Sequence, residues 1–184
     1  SALDEGCEAT EILNSMIDAM AVVGERFKNN EIFVPEMLVA ARAMKKGVDV
    51  LKPHLAGGSA GVAGKMIIGT VAGDLHDIGK NLVALMLRNY GYDVIDLGKD
   101  VPADEIIAAA KEHNASIIVL SALMTTTMMR MKDTIALKEK EHLDVKVMIG
   151  GAVTTQSFAD EIGADGYSAD AADAVRLAKK LLAE

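Results

Sequence analysis

The chain has almost no cysteine and no long apolar run. Cys7 is the single cysteine among 184 residues, so no disulfide can form within the chain. We find neither a secretory signal nor a run of about 20 apolar residues, which a helix needs to span a bilayer. The sequence therefore predicts a protein of the reducing cytoplasm without a membrane partner.

Basic residues and aromatic side chains are also scarce. The 19 lysines and arginines are outnumbered by 27 acidic residues, and a net charge of -8 argues against binding to nucleic acid or to anionic lipid. Aromatic residues make up 3% of the chain, whereas methionine occurs 11 times. Any cavity should therefore have aliphatic walls, which suit a large, flat and mostly apolar ligand.

The first third of the chain has the periodicity of two helices. Apolar residues recur at intervals of one, three and four over residues 8–28, and a second helical pattern runs from Pro35 to Leu51. Glycines at 57, 58 and 61 then mark a flexible connection. We expect a helical domain at 1–57, a linker at 58–64 and a second domain at 65–184, and residues 1–5 look like the tail of a helix whose beginning is absent.

The remainder of the chain alternates between short apolar runs and helical patterns. The runs predict five strands, at 66–71, 93–97, 116–120, 145–149 and 166–168. Helical patterns cover about 79–90, 103–113, 126–141, 155–162 and 170–183. This alternation predicts a doubly wound α/β domain with a five-stranded parallel sheet, Rossmann-like or flavodoxin-like, whose ligands bind at the carboxyl ends of the strands.

The loop after the first of these strands carries a histidine and a carboxylate. Asp74 precedes His76 by two residues, and Gly79 lies where the next helix begins. A histidine can bind metal through one ring nitrogen while the other donates its proton to a carboxylate. The alternative is an ordinary turn in which Asp74 or Asp77 caps the helix.

Two more loops follow strands at the same edge of the predicted sheet. Residues 121–127 are rich in small and hydroxyl side chains, which leave room for a ligand or, alternatively, cap the next helix. The pair Gly150-Gly151 could let a planar group lie against the backbone or form an unremarkable turn. Together the three loops predict one ligand site.

The predicted site offers one imidazole as a metal ligand. His54, His113 and His142 lie in or beside predicted helices, and Cys7 lies far earlier in the chain. A zinc site would need three or four donors from the protein. A lone imidazole suggests a metal held mainly by its own macrocycle, which is a haem or a corrinoid.

The loops resemble the signature of cobalamin-binding domains. Three blocks in the expected order carry the resemblance: Asp74-x-His76-x-x-Gly79, Ser121-x-Leu123 and Gly150-Gly151. The helical segment before them is similar to the cap of methyl-transferring corrinoid proteins and of cobalamin-dependent methionine synthase. Residues 1–57 would then be a helical cap domain that lacks its first helix.

The resemblance implies that cobalamin, as methylcobalamin, cob(I)alamin or a related corrinoid, binds with its lower base detached. His76 would replace that base as the lower axial ligand of cobalt, and Ser121 would contact the base. Asp74 would bond the other nitrogen of His76, and Thr127 would continue the relay, which we expect to adjust the stability of the cobalt states. Further implied contacts are Asp77, Ile78, Gly79, Leu123, Thr125, Gly150 and Gly151.

Two features outside these blocks each have two interpretations. Phe33 either staples the turn before Pro35 or, by the resemblance, covers the methyl-bearing face of the corrin. The methionine stripe at residues 124–131 either fills the core or forms an adaptable surface for a partner. Its members are Met124, Met128, Met129 and Met131.

The implied function is a corrinoid methyl carrier that turns over little by itself. It would shuttle a methyl group from a donor-specific methyltransferase to an acceptor methyltransferase that uses a folate or a thiol, with a reductive activase as a further candidate partner. The sequence does not identify the donor. The alternatives are a cobalamin-dependent sensor, the small subunit of a cobalamin-dependent isomerase, and a receiver-like or flavodoxin-like domain without a corrinoid.

Overall fold

The computed structural model describes residues 2–51, 54 and 64–183. The chain divides into two compact units, one of residues 1–63 with 88–92 and one of residues 64–87 with 93–184. Most of the predicted linker, 58–64, lies outside the described residues, as does Pro53. The predicted domain limits therefore stay a prediction.

The first unit contains a helical hairpin of α1 (Ala9–Lys28) and α2 (Val34–Leu51). Buried side chains recur at one-turn or two-turn intervals along each helix: Ala9, Leu13 and Met20 in α1, and Met37, Met44 and Leu51 in α2. A Cβ on Gly47 would lie 2.3 Å from Cε of Met16, so glycine allows the two helices to approach closely. The helical periodicity of the sequence predicted both helices.

The residues before α1 form a turn with the hydrogen bonds of a helix end. Gly6 has φ +83°, and its N–H donates to the carbonyl of Leu3. The N–H of Cys7 donates to the carbonyl of Ala2 at 3.0 Å. This pair of bonds around a left-handed glycine is the Schellman pattern of a helix C-terminus.

The second unit contains the five predicted strands. Its elements are β1 (Lys65–Thr70), α3 (Ile78–Asn89), β2 (Asp93–Asp96), α4 (Ala103–Glu112), β3 (Ile117–Ser121), α5 (Thr125–Met128), α6 (Arg130–Lys140), β4 (Lys146–Gly150), α7 (Gln156–Ile162), β5 (Gly166–Ser168) and α8 (Ala171–Ala183). The prediction of one helix over 126–141 is wrong, because α5 ends at Met128 and α6 begins at Arg130. No helix among the described residues is long and apolar enough to cross a membrane.

The strands form one parallel sheet in the order β2-β1-β3-β4-β5. Helices cover both faces of such a sheet, so the central strands are continuously apolar and fully buried, as at Ile67, Ile118 and Met148. The predicted α/β fold class is confirmed. Strand order reverses between β1 and β3, and ligands of such sheets bind outside the carboxyl ends of the strands at this point.

A row of small residues crosses the carboxyl edge of the sheet. Thr70 of β1 pairs with Ser121 of β3, Ser121 pairs with Gly150 of β4, and Gly150 pairs with Ser168 of β5. Small side chains at these strand ends leave open space above the sheet. The site described below lies along this row.

The four methionines of the stripe at residues 124–131 divide between core and surface. Met131 is fully buried and Met128 packs partly against the same core. Met124 and Met129 are exposed, at 37% and 45%. The prediction of core filling holds for Met131 and Met128, whereas Met124 and Met129 follow the carboxyl end of β3 in the chain.

Candidate functional site

The loop between β1 and α3 is shaped by glycine and by the last residue of β1. Gly73 has φ +81°, a left-handed conformation that glycine adopts without strain. The N–H of Asp74 donates to the carbonyl of Val71 and closes the turn. The buried hydroxyl of Thr70 donates to the carbonyl of His76 at 3.0 Å. These bonds hold the backbone on both sides of Asp74.

Asp74 and His76 contact each other within this loop. Nδ1 of His76 lies 2.7 Å from Oδ1 of Asp74, and the backbone N–H of His76 donates to the same oxygen at 3.1 Å. The Asp74 side chain is fully buried, whereas half of the His76 side chain is exposed. An ionised Asp74 can only accept, so Nδ1 carries the proton and Nε2 keeps its lone pair for a ligand.

The second oxygen of Asp74 is bonded to the loop after β3. Oδ2 accepts the backbone N–H of Leu123 at 2.8 Å and the Thr127 hydroxyl at 2.6 Å. Burial alone would raise the pKa of Asp74, but hydrogen bonds from Thr127, Leu123 and His76 outweigh it and hold this pKa well below its usual range. Asp74 is therefore a carboxylate at neutral pH, which fixes the tautomer of His76.

The structure thus brings together the three residues of the predicted relay, His76, Asp74 and Thr127. The alternative that the threonines of residues 125–127 cap the next helix is wrong, because Met124 is the N-cap residue of α5. Thr127 instead uses its hydroxyl on Asp74. Thr125 is exposed and is not among the described residues that line the adjoining cavity.

A cavity of about 540 Å³ opens beside His76. The predicted site residues that line it are His76, Asp77, Ile78, Gly79, Ser121, Leu123, Gly150 and Gly151. A Cβ on Gly79 would meet no described atom within 4 Å, whereas a Cβ on Gly151 would lie 1.9 Å from the Ala122 carbonyl oxygen. Glycine at 79 therefore keeps cavity space open, and glycine at 151 lets two backbone segments pass closely.

The donor set limits the kind of metal that this site could hold. Within the described residues, no group of three or more histidine, cysteine or acidic side chains is placed to bind a metal ion. His76 would therefore be a single donor, beside a cavity whose walls include Ile68, Val119 and three glycines. These residues fit a metal that arrives in its own macrocycle and carries a bulky appendage to fill the cavity.

Comparison with known proteins agrees with this chemistry. A family model described as a B12 binding domain matches residues 64–176, and a second model with the same description matches residues 1–52. The chain belongs to the B12-binding family of corrinoid proteins. Its cofactor is cobalamin or a related corrinoid.

Relatives of this corrinoid protein come from methyltransferase systems. Dimethylamine corrinoid protein 3 of Methanosarcina mazei is 50% identical over 89% of this chain and 100% of its own length. A cobalamin-binding protein structure from Desulfitobacterium hafniense is 34% identical, with a TM-score of 0.82 over 98% of this chain and 87% of that one. A methanol:cobalamin methyltransferase complex from Methanosarcina barkeri is 32% identical, with a TM-score of 0.83 over 96% of this chain and 68% of its own.

Three residues of this corrinoid protein belong to the site although the sequence did not single them out. Thr70 bonds the His76 carbonyl, and Lys80 lines the cavity with its side chain buried against Asp96. Asp100 bonds the backbone at Gly73. Lys80 directly follows Gly79 in the motif, which was a usable signal, whereas neither Thr70 nor Asp100 had one.

Phe33, which the resemblance assigned to the cover of the corrin, lies in the first unit. Its side chain is 62% exposed, and its N–H donates to a carboxylate oxygen of Glu36 at 3.0 Å. This bond fixes the turn that leads into α2. The role of Phe33 as a cover stays a prediction.

Proposed function

We propose that this corrinoid protein carries a methyl group between two methyltransferases. A donor-specific enzyme would load the cofactor, and an acceptor enzyme would pass the methyl group to a folate or a thiol. Support comes from relatives named for dimethylamine and for a methanol:cobalamin methyltransferase complex. When bound, the corrinoid supplies a cobalt centre that takes up and gives up the methyl group.

We propose that His76 is the lower axial ligand of cobalt, with the lower base of the cofactor detached. The observation that carries this proposal is the 2.7 Å contact of Nδ1 with the buried carboxylate of Asp74. It leaves Nε2 as the nitrogen with a free lone pair, on a side chain that is half exposed and lines the cavity. A carboxylate on the far nitrogen also raises the basicity of the ligating one.

The chain's own residues would control the proton on this histidine. Asp74 keeps the Nδ1 proton in place while Nε2 serves as a ligand. Thr127 and the Leu123 N–H hold Asp74 in its charged form, so we propose that they adjust how strongly His76 binds.

The cavity would receive the nucleotide tail with the detached base. Its volume of about 540 Å³ lies within the usual range of ligand pockets. Ser121 offers a hydroxyl at the cavity wall, and Gly79, Gly150 and Gly151 leave the backbone accessible to a planar group. We propose the same cofactor contacts for Asp77, Ile78 and Leu123, which lie at the rim, and none for Thr125.

A His76→Ala variant tests the ligand assignment, with His113→Ala as the control because His113 ends α4 and does not line the cavity among the described residues. Both proteins are reconstituted with cobalamin and reduced to the paramagnetic cobalt(II) state. We expect histidine nitrogen hyperfine splitting in the control, assigned by ¹⁵N-histidine labelling, and its loss in His76→Ala. Identical spectra in both variants would contradict the assignment.

Labelled methyl groups test the carrier function separately. The reconstituted protein is incubated with methyltransferases encoded near its gene and with ¹⁴C-methyl dimethylamine or methanol. We expect label on the protein-bound corrinoid, followed by transfer to a thiol or folate when the acceptor enzyme is added. Failure of every donor enzyme to load the protein would contradict the carrier function, whatever the hyperfine result.

A further inference from the structure

A loop that carries none of the predicted site residues braces the turn before Asp74. This loop joins β2 to α4 over residues 97–102, and Asp100 within it has φ +56°. Oδ1 of Asp100 accepts the N–H of Gly73 at 2.6 Å, and the N–H of Asp100 donates to the carbonyl of Asp74 at 3.0 Å. One residue therefore makes two bonds that bracket Gly73 and Asp74.

The two bonds act at the point where the turn would otherwise be loosest. Gly73 lacks a side chain, so its own conformational preferences restrict the backbone least of any residue in the turn. The direction of the Asp74 carboxylate depends on the backbone dihedrals of Asp74, which begin at Gly73. Fixing the Gly73 N–H on one side and the Asp74 carbonyl on the other therefore fixes where the carboxylate points.

The bracing loop is itself anchored to β1. The N–H of Thr70 donates to the carbonyl of Gly98, and the N–H of Val101 donates to the carbonyl of Thr70, both at 3.0 Å. Thr70 also bonds the His76 carbonyl through its hydroxyl. Asp100 is thus held at a fixed position relative to both ends of the turn. Its carboxylate, bonded to the Gly73 N–H, therefore fixes the backbone that leads into Asp74.

We infer that Asp100 is a positioning residue for the contact between Asp74 and His76. Its carboxylate acts through the Gly73 N–H, and its left-handed backbone presents the N–H that bonds Asp74. The consequence for cobalt ligation rests on the proposed function. The positioning role itself concerns the chain alone and can be tested without a cofactor.

Two substitutions separate the carboxylate from the backbone conformation. Asp100→Asn keeps an oxygen acceptor and tolerates the left-handed region, whereas Asp100→Gly accepts the same backbone angles and removes the acceptor. Asn114→Gly is the matched control, because Asn114 has φ +50°, is exposed and follows α4 at the opposite edge of the sheet.

Nuclear magnetic resonance of the ¹⁵N-labelled cofactor-free protein gives the readout. We expect wild type, Asp100→Asn and Asn114→Gly to share His76 ring ¹⁵N shifts of the Nδ1–H tautomer. In Asp100→Gly we expect the His76 ring shifts to be averaged between the two tautomers. We also expect the amide protons of Gly73 and His76 to exchange about tenfold faster, which is the effect of losing one good hydrogen bond. Exchange is normalised to the Met148 amide in buried β4, which removes any change in global stability.

The outcomes decide the inference in either direction. The inference is overturned if Asp100→Gly has the same ring ¹⁵N shifts and the same normalised exchange rates as wild type. It is also overturned if Asp100→Asn gives the same altered shifts and rates as Asp100→Gly. In protein reconstituted with cobalamin, Asp100→Gly should also broaden the histidine hyperfine signal. If wild type itself lacks that signal the ligand assignment fails, but the cofactor-free spectra still decide the role of Asp100.

Discussion

The hydroxyl of Thr127 and the carboxylate of Asp74 meet at 2.6 Å although 53 residues separate them in the chain. The bond joins the loop after β1 to the first turn of α5, which follows β3, and strand order reverses between these two strands. Both side chains are buried, so little water competes for the bond. Together with the Leu123 N–H, this hydroxyl offsets the burial of Asp74 and keeps it charged.

Replacing Thr127 by valine should destabilise the cofactor-free protein. Valine has nearly the same shape, so the main loss is a hydrogen bond to a buried charge, worth about 2 kcal/mol of the free energy of unfolding. Thr126→Val is the control, because Thr126 is exposed in the same turn. Urea denaturation at pH 7 measures the difference, and equal midpoints for the two variants would contradict the assigned bond.

The same variant should unfold at a higher pH during acid titration. The folded pKa of Asp74 lies below its unfolded value of about 3.9, so its stabilising contribution is fully present above that value and is lost as the pH falls through the folded pKa. Without the Thr127 bond the folded pKa is higher, and the loss begins earlier. Circular dichroism against pH should place the acid midpoint of Thr127→Val above that of wild type, with Thr126→Val unchanged.

Lys80 and Asp96 form an ion pair that is buried unequally. The Lys80 side chain is 1% exposed and the Asp96 side chain is 23% exposed, and Asp96 also accepts the Gly98 N–H at 2.9 Å. Removing one partner of a buried pair leaves the other charge uncompensated. The cost should therefore depend on which charge is left behind.

We expect Asp96→Asn to cost more stability than Lys80→Met. The first leaves a buried ammonium without a counter-charge, at about 3 kcal/mol of the free energy of unfolding, whereas the second leaves a carboxylate that water can reach, at about 1 kcal/mol. The double variant should be more stable than Asp96→Asn, because the stranded cation is gone. Urea denaturation of the three proteins measures this order, and the reverse order would contradict the burial argument.

Much of the site could be predicted because it depends on strand order and short spacings. The two-residue interval between Asp74 and His76 sets their contact, and parallel strands bring the loop of Thr127 to the same edge. Asp100 could not be found in this way, because its bonds to residues 73 and 74 join positions 27 and 26 apart, and on the side of the turn each bond uses a backbone group. Such contacts depend on loop conformation and not on side-chain pattern.

The errors in the helices have a similar physical origin. The division between α5 and α6 occurs at Met129, whose dihedrals of -62° and -22° remain helical, so side-chain periodicity continues across the break. Leu38 fits the apolar pattern of α2 but is 46% exposed. Periodicity indicates which face a residue occupies, and it does not indicate whether anything packs on that face.

Gly79 offers a test of the cavity that separates binding from folding. A side chain at this position would meet no described atom within 4 Å but would project at the cavity, and replacing a helical glycine should stabilise the fold by up to about 1 kcal/mol. We expect Gly79→Leu to fold normally and to bind cobalamin at least about tenfold more weakly, the effect of overfilling a site. Asn81→Leu is the control, because Asn81 lies two residues further along α3, about 200° around the helix, and is not among the described residues that line the cavity. Absorbance titration with cobalamin and thermal unfolding of the cofactor-free proteins measure both effects. Equal affinity in the two variants would show that the cofactor does not occupy this cavity.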